Sequence, residues 1–302
     1  MRRAVLILGA VFGAALLILW LSGGLTAVQA SILAGQREIQ SALASAVRRI
    51  KTGQPGALTA LLTVCFTYGF LHAAGPGHGK VVIGGYGLAR RVPLLSLSAI
   101  SLAASLAQAA VAVVFVYTGV AILGWTRERA HGVADQIMAP VGTAAICGVG
   151  LWLMWRGFRG IRRQTAVQQT AVLPHDHSGH VHDAHCGHTH GPSVTDVENL
   201  TGWRDVAALI SGIAMRPCTG AIFLLILTWQ LGIGAAGIAG VFAMGLGTAI
   251  VTVSVAGLAV WTREGALASL PGQSITRILP WFEVLAGGLV VVIALSVLAE
   301  VL

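Results

Sequence analysis

Two histidines, a Gly-Pro-Gly triplet and a lysine stand together at the end of an apolar run. The stretch Leu71-His72-Ala73-Ala74-Gly75-Pro76-Gly77-His78-Gly79-Lys80 closes the segment from Leu58 to Phe70. Neutral imidazole suits Ni, Co, Cu and Zn ions rather than alkali or alkaline-earth ions. On an intact helix, six residues of separation would turn His72 and His78 about 240° apart. Gly75-Pro76-Gly77 lifts that constraint, because glycine permits unusual dihedrals and proline cannot continue the hydrogen-bond ladder. A turn there brings both imidazoles towards one point, and the carbonyls freed around Gly75 and Gly77 are potential oxygen ligands. The competing reading of the pair is a packed or helix-capping His72 and an interfacial His78. Lys80 reads as a charge at the inner end of a span rather than as a ligand.

A second interruption lies far along the chain, at Gly212-Ile213-Ala214-Met215-Arg216-Pro217-Cys218-Thr219-Gly220. Arginine within a span normally faces a protein-lined interior, so Arg216 is a candidate to hold freed carbonyls of an unwound segment, or else marks a helix end. Cys218 is either a soft thiolate ligand or, more commonly for a lone cysteine, a small buried apolar residue.

The third group is a tract between Pro174 and Pro192. It holds seven of the ten histidines, His175, His177, His180, His182, His185, His188 and His190, together with Cys186, Asp176 and Asp183. Histidine-rich tracts of this kind bind metal ions by composition. The irregular spacing argues against a fixed structural zinc site. The tract carries too little apolar material for a core, so order without metal is not expected.

The elements that must position these groups are apolar helices. The 302 residues are 56% hydrophobic and 10% charged, with mean hydropathy +0.81, against about 25% charged residues in a soluble domain. The expected fold is an all-α polytopic membrane protein with about seven transmembrane helices, two inverted three-helix repeats following an N-terminal helix. Residues 1–30 form an anchor or a cleavable signal segment, and 31–56 an amphipathic extracytoplasmic helix that lies on the membrane or packs over the bundle. The first repeat takes 57–157, the His-rich loop 158–203 and the second repeat 204–302. The six spans after the N-terminal one are Leu58–Ala73, Pro93–Leu123, Ile137–Trp155, Val206–Leu231, Ala235–Trp261 and Trp281–Leu302. Each set opens on a broken helix, continues through a long helix rich in small residues and ends on a Pro-led one, with Pro140 and Pro280 near the starts. Three spans is an odd number, so the second set lies inverted. Matched breaks in inverted halves point to a transporter's substrate site.

The net charge of +8 comes from residues at helix ends rather than from one patch, so a nucleic-acid partner is not expected. With the N-terminus inside, Arg156, Arg159, Arg162, Arg163 and most other basic residues fall on the inner side, which places the His-rich loop in the cytoplasm. The four scattered cysteines imply no disulfide framework.

In its His72-to-Lys80 motif, its Arg216-Pro217-Cys218-Thr219-Gly220-Ala221 segment and its His-rich loop, the chain resembles the NicO-type nickel/cobalt transporter family, which includes efflux proteins. The resemblance covers roughly residues 58 to 302. It implies a multi-pass inner-membrane carrier that exports Ni²⁺ or Co²⁺ as substrate, with His72 and His78 as pathway histidines and no resident cofactor or enzymatic activity. The nickel uptake permeases have aspartates between their two histidines, where this chain has Gly-Pro-Gly, so an uptake permease is the alternative. Gly75 stands where some relatives carry an acidic residue. A third class is a thiol-transferring membrane reductase, which needs two facing thiols; Cys65 is the one candidate partner for Cys218. Asp205 and Glu283 are the acidic candidates for proton coupling, or simply interfacial residues. A phosphate-loop motif is absent, which argues against ATP as the energy source.

Overall fold

Helix is the only regular structure among the residues that the computed structural model describes: 22, 24–75, 78–90, 92–170, 203–268 and 272–301. In chain order the helices are α1 Gly24–Lys51, α2 Ala57–Ala74, α3 His78–Ala89, α4 Leu94–Tyr117, α5 Arg127–Val133, α6 Ala139–Thr170, α7 Trp203–Ala214, α8 Thr219–Gln230, α9 Gly234–Ala268 and α10 Gly272–Val301. A π-helical turn extends α4 over Thr118–Ile122, and another, Ala134–Met138, joins α5 to α6.

Four helices among the described residues are long and apolar enough to cross a membrane: Ala57–Ala74, Leu94–Ile122, Arg127–Gln164 and Gly234–Gly265. The pair Val206–Ala214 and Thr219–Gln230, bent by 61°, makes a fifth if taken as one span. The apolar part of α10, Pro280–Ser296, is shorter. The described residues thus support an all-helical polytopic fold of four or five spans rather than a demonstrated seven. The expected N-terminal span lies largely outside the described residues. Pro280 does not begin a helix; it lies inside α10.

Helix α1 packs against α2. Leu43, Ala46 and Val47 are buried, while Arg37, Glu38, Arg48 and Arg49 are exposed. Its C-terminal end is tied down where Lys51 Nζ donates to Leu231 O at 2.8 Å.

Apolar helices meet where glycine lets backbones approach, as expected for helix association in lipid. A Cβ on Gly69 of α2 would sit 2.0 Å from Met244 O of α9, and one on Gly247 of α9 would sit 2.1 Å from Phe66 O. Helices α6 and α10 cross at Gly150 and Gly287 in a reciprocal manner. A Cβ on Gly287 would be 2.6 Å from Gly150 O, and one on Gly150 3.0 Å from Gly287 O.

The buried apolar residues form two clusters. One joins Leu61, Cys65, Ala112, Leu224 and Val241; the other joins Ile83, Leu97, Leu153, Leu209 and Val260. Long helices α4 and α9 pass through both. Between their contributions to the two clusters lie the polar residues Ser105 and Gln108 on α4, and Thr248 and Thr252 on α9. The bundle therefore has a polar level between two apolar ones.

Candidate functional site

That polar level holds a cavity of about 300 Å³. His72 and Lys80 reach it from the first break, and Arg216, Pro217 and Cys218 from the second. Ser105, Gln108, Thr143, Thr248 and Thr252 complete much of its polar lining. A smaller neighbouring cavity shares His72, Ser105, Gln108, Cys218 and Thr248.

Helix α2 ends at the first break because Gly75 turns to an extended conformation (φ −65°, ψ 170°) while its N–H still donates to Leu71 O at 3.2 Å. Gln36 Nε2 of α1 donates to the same carbonyl at 3.1 Å. The imidazole of His72 stacks on the Tyr68 ring one turn earlier, with centroids 5.9 Å apart and planes 9° from parallel. Tyr68 in turn packs against Gly220 in the first turn of α8, where a Cβ would lie 2.4 Å from its ring. An aromatic contact thus joins the two breaks. Thr248 Oγ1 donates to Gly69 O at 3.2 Å and ties α9 to the same stretch of α2.

At the second break, α7 stops at Ala214 and α8 begins after Cys218, whose backbone is extended. The Sγ of Cys218 accepts from Ala221 N at 3.4 Å, so this cysteine caps α8. The carbonyl of Arg216 is freed by the interruption, and Gln108 Nε2 donates to it at 2.6 Å. Arg216 itself is among the residues that line the cavity. Gln108, which the sequence did not single out, thus holds one freed carbonyl of the second break.

The first break lies level with the middles of α4 and α9 and is followed by α3, which packs against α9 and α10. Lys80, read from sequence as an inner-end charge, lines the cavity, and its Nζ donates to Gly75 O. Glu283 is buried and pairs with Arg156 at 2.5 Å, joining α10 to α6. His78 begins α3, but its side chain lies outside the described residues, as do Pro76, Gly77, the Asp205 side chain and the tract from His175 to His190. Cys65 and Cys218 are free thiols, and both belong to the first apolar cluster.

Among the described residues, no three His, Cys, Asp or Glu side chains converge as a metal-binding group. Ser105, Gln108, Asp135, Thr143, Thr248 and Thr252 line the cavity without having been singled out from sequence. A polar residue recurring within an apolar helix was the available signal for the four on α4 and α9.

A bundle of apolar helices in which two separate interruptions open on one polar cavity is built as a membrane transport protein. Residues 58–192 match the NicO family, described as High-affinity nickel-transport protein. The chain is also 29% identical over 285 residues to a protein of Haemophilus influenzae that carries a nickel/cobalt efflux system name, covering 88% of this chain and 87% of that relative. The chain is thus similar to nickel/cobalt transport proteins. No solved structure matches it.

Proposed function

We propose that the chain exports Ni²⁺ or Co²⁺ from the cytoplasm across the inner membrane, and that it is a carrier rather than an enzyme. The convergence of both helix breaks on one mid-bundle cavity carries this reading. His72 and His78 supply imidazoles along the pathway, and Cys218 lies across the cavity on the other break. In this reading the two sets of helices are inverted repeats, which the packing of α4 on its counterpart α9 and of α6 on its counterpart α10 supports. The reciprocal crossing at Gly150 and Gly287 supports the same arrangement. With the N-terminus inside, the His-rich loop is cytoplasmic, where His175 to His190 and Cys186 capture the ion and deliver it to the cavity. The efflux name of the Haemophilus influenzae relative favours export over uptake.

Nickel flux into inside-out vesicles tests the site. His72→Ala and His78→Ala are each expected to lower the initial rate by at least roughly ten-fold, as loss of a ligand or its orienting partner does. Unchanged flux in both variants overturns the pathway. Direction is tested by cellular nickel after gene deletion, where a rise supports export and a fall supports uptake. Retained flux in Cys65→Ser and Cys218→Ser removes the thiol-transfer alternative.

A further inference from the structure

The charges around the cavity have the wrong sign for a bare divalent cation. Among the described residues, Lys80 and Arg216 bring two positive charges to its lining, one from each half of the chain, against the single carboxylate of Asp135, which is exposed. The N-terminal ends of two helices add to this. Lys80 lies in the first turn of α3, and Cys218 and Thr219 are the cap and first residue of α8. Each such end carries about half a positive charge. Lys80 spends one of its three donors on Gly75 O, while the freed carbonyl beside the Arg216 side chain is already held by Gln108.

The hydroxyls have the opposite character. Ser105 donates to Ser101 O at 3.0 Å, Thr143 to Ala139 O at 2.8 Å, Thr252 to Ala249 O at 3.1 Å and Thr248 to Gly69 O at 3.2 Å. With their protons directed to backbone carbonyls, these oxygens are left as acceptors, suited to the water molecules around a hydrated cation. One cavity thus combines acceptors for a metal's water shell with a cationic group shaped for an oxyanion. Arginine's planar fork matches carboxylate-like oxygens, and a charge-assisted pair is stronger than a neutral hydrogen bond.

We infer that the cavity takes its divalent ion together with a small oxyanion of the carboxylate or bicarbonate type, held by Arg216 and Lys80, so that the two cross as a pair in which the anion offsets one of the ion's two charges. This rests on the carrier reading above and names the form in which the substrate is accepted. A volume of about 300 Å³ corresponds to roughly ten water molecules, enough for a hydrated ion and a small anion.

The test begins without metal. Purified full-length protein in detergent is titrated with acetate, bicarbonate and, as control, chloride at constant ionic strength and pH, and thermal stability is read. Acetate or bicarbonate is expected to raise the melting temperature saturably, and chloride is not. Arg216→Gln is expected to weaken the half-saturation by roughly ten-fold or more, the loss typical of a charged hydrogen bond, and Arg216→Lys to restore part of it. In proteoliposomes, nickel flux at fixed free metal is expected to rise with the same oxyanion at the same half-saturation, and Arg216→Gln to lose that dependence. Absence of an oxyanion-specific shift in the wild type, or an equal shift in Arg216→Gln, overturns the inference. Nickel flux that persists without any oxyanion overturns it while leaving the carrier reading intact. Oxyanion binding with no nickel flux under any condition overturns the carrier reading instead.

Discussion

Gln108 shows how a broken helix is kept tolerable inside an apolar bundle. An interruption strips a carbonyl of its intrahelical donor, and a buried polar group without a partner costs about 1–3 kcal/mol. The amide of Gln108 supplies the missing donor to Arg216 O at 2.6 Å. Gln108→Leu is therefore expected to destabilise the protein by about 1–3 kcal/mol, read as a lowered melting temperature, and to reduce nickel flux. Gln108→Asn, too short to span the gap, should resemble the leucine variant. A melting temperature unchanged in both would mean that another donor already satisfies this carbonyl. Residues of this kind were poorly legible in the sequence. A glutamine in an apolar helix signals an interior face, but which carbonyl it meets is fixed by a segment 108 positions away. Lys80 was harder to read for a related reason: charge at the end of an apolar run looks like a topology signal, and its place in the cavity lining depends on the helix that follows it. His72 was legible because its residue type and its neighbouring Gly-Pro-Gly carry the chemistry locally.

The helices themselves were largely legible. The apolar runs from Leu58 and from Pro93, and the run from Ala235, correspond to α2, α4 and α9, because hydrophobic length is a property of the local sequence. Which helices touch was not legible, since helices that are apolar around their whole circumference have no face that identifies the partner. Small residues were the available clue. At Gly247 a Cβ would lie 2.1 Å from Phe66 O and 2.8 Å from Phe70 N, both backbone atoms that no rotamer change can move. Gly247→Ala is expected to force α9 away from α2, at a cost of at least about 1–3 kcal/mol for overpacking, and to widen the cavity between them. Loss of the monodisperse peak in size-exclusion chromatography, with a lower melting temperature, is the expected reading. Gly132→Ala, where nothing lies within 4 Å of the added carbon, is the matched control and should stay within about 0.5 kcal/mol of wild type. A Gly247→Ala protein as stable as this control would show that the two helices have room to separate.

At the scale of the molecule, the strongest packing runs between the halves rather than within them. Helix α9 of the second half rests on α2, α3 and α4 of the first, and α10 rests on α6, where the Arg156–Glu283 pair at 2.5 Å adds a polar tie. In lipid, such association is driven by close van der Waals packing and interhelical hydrogen bonds, neither of which needs a covalent link. If that packing suffices, the chain between the halves, 171–202, is not required for assembly. Residues 1–170 and 203–302, expressed as separate chains in one cell, are accordingly expected to co-purify as a one-to-one complex in mild detergent. Failure of the two pieces to associate, while each inserts in the membrane, would show that the loop is needed for assembly. If they associate, the same complex tests the tract, because it lacks His175 to His190. A capture role predicts a raised half-saturation for nickel with an unaltered maximal rate, since removing a collecting segment lowers the local ion supply without touching the mid-bundle cavity. A fall in maximal rate at saturating metal would instead place those histidines within the transport cycle itself, as groups through which each ion must pass on its way to His72.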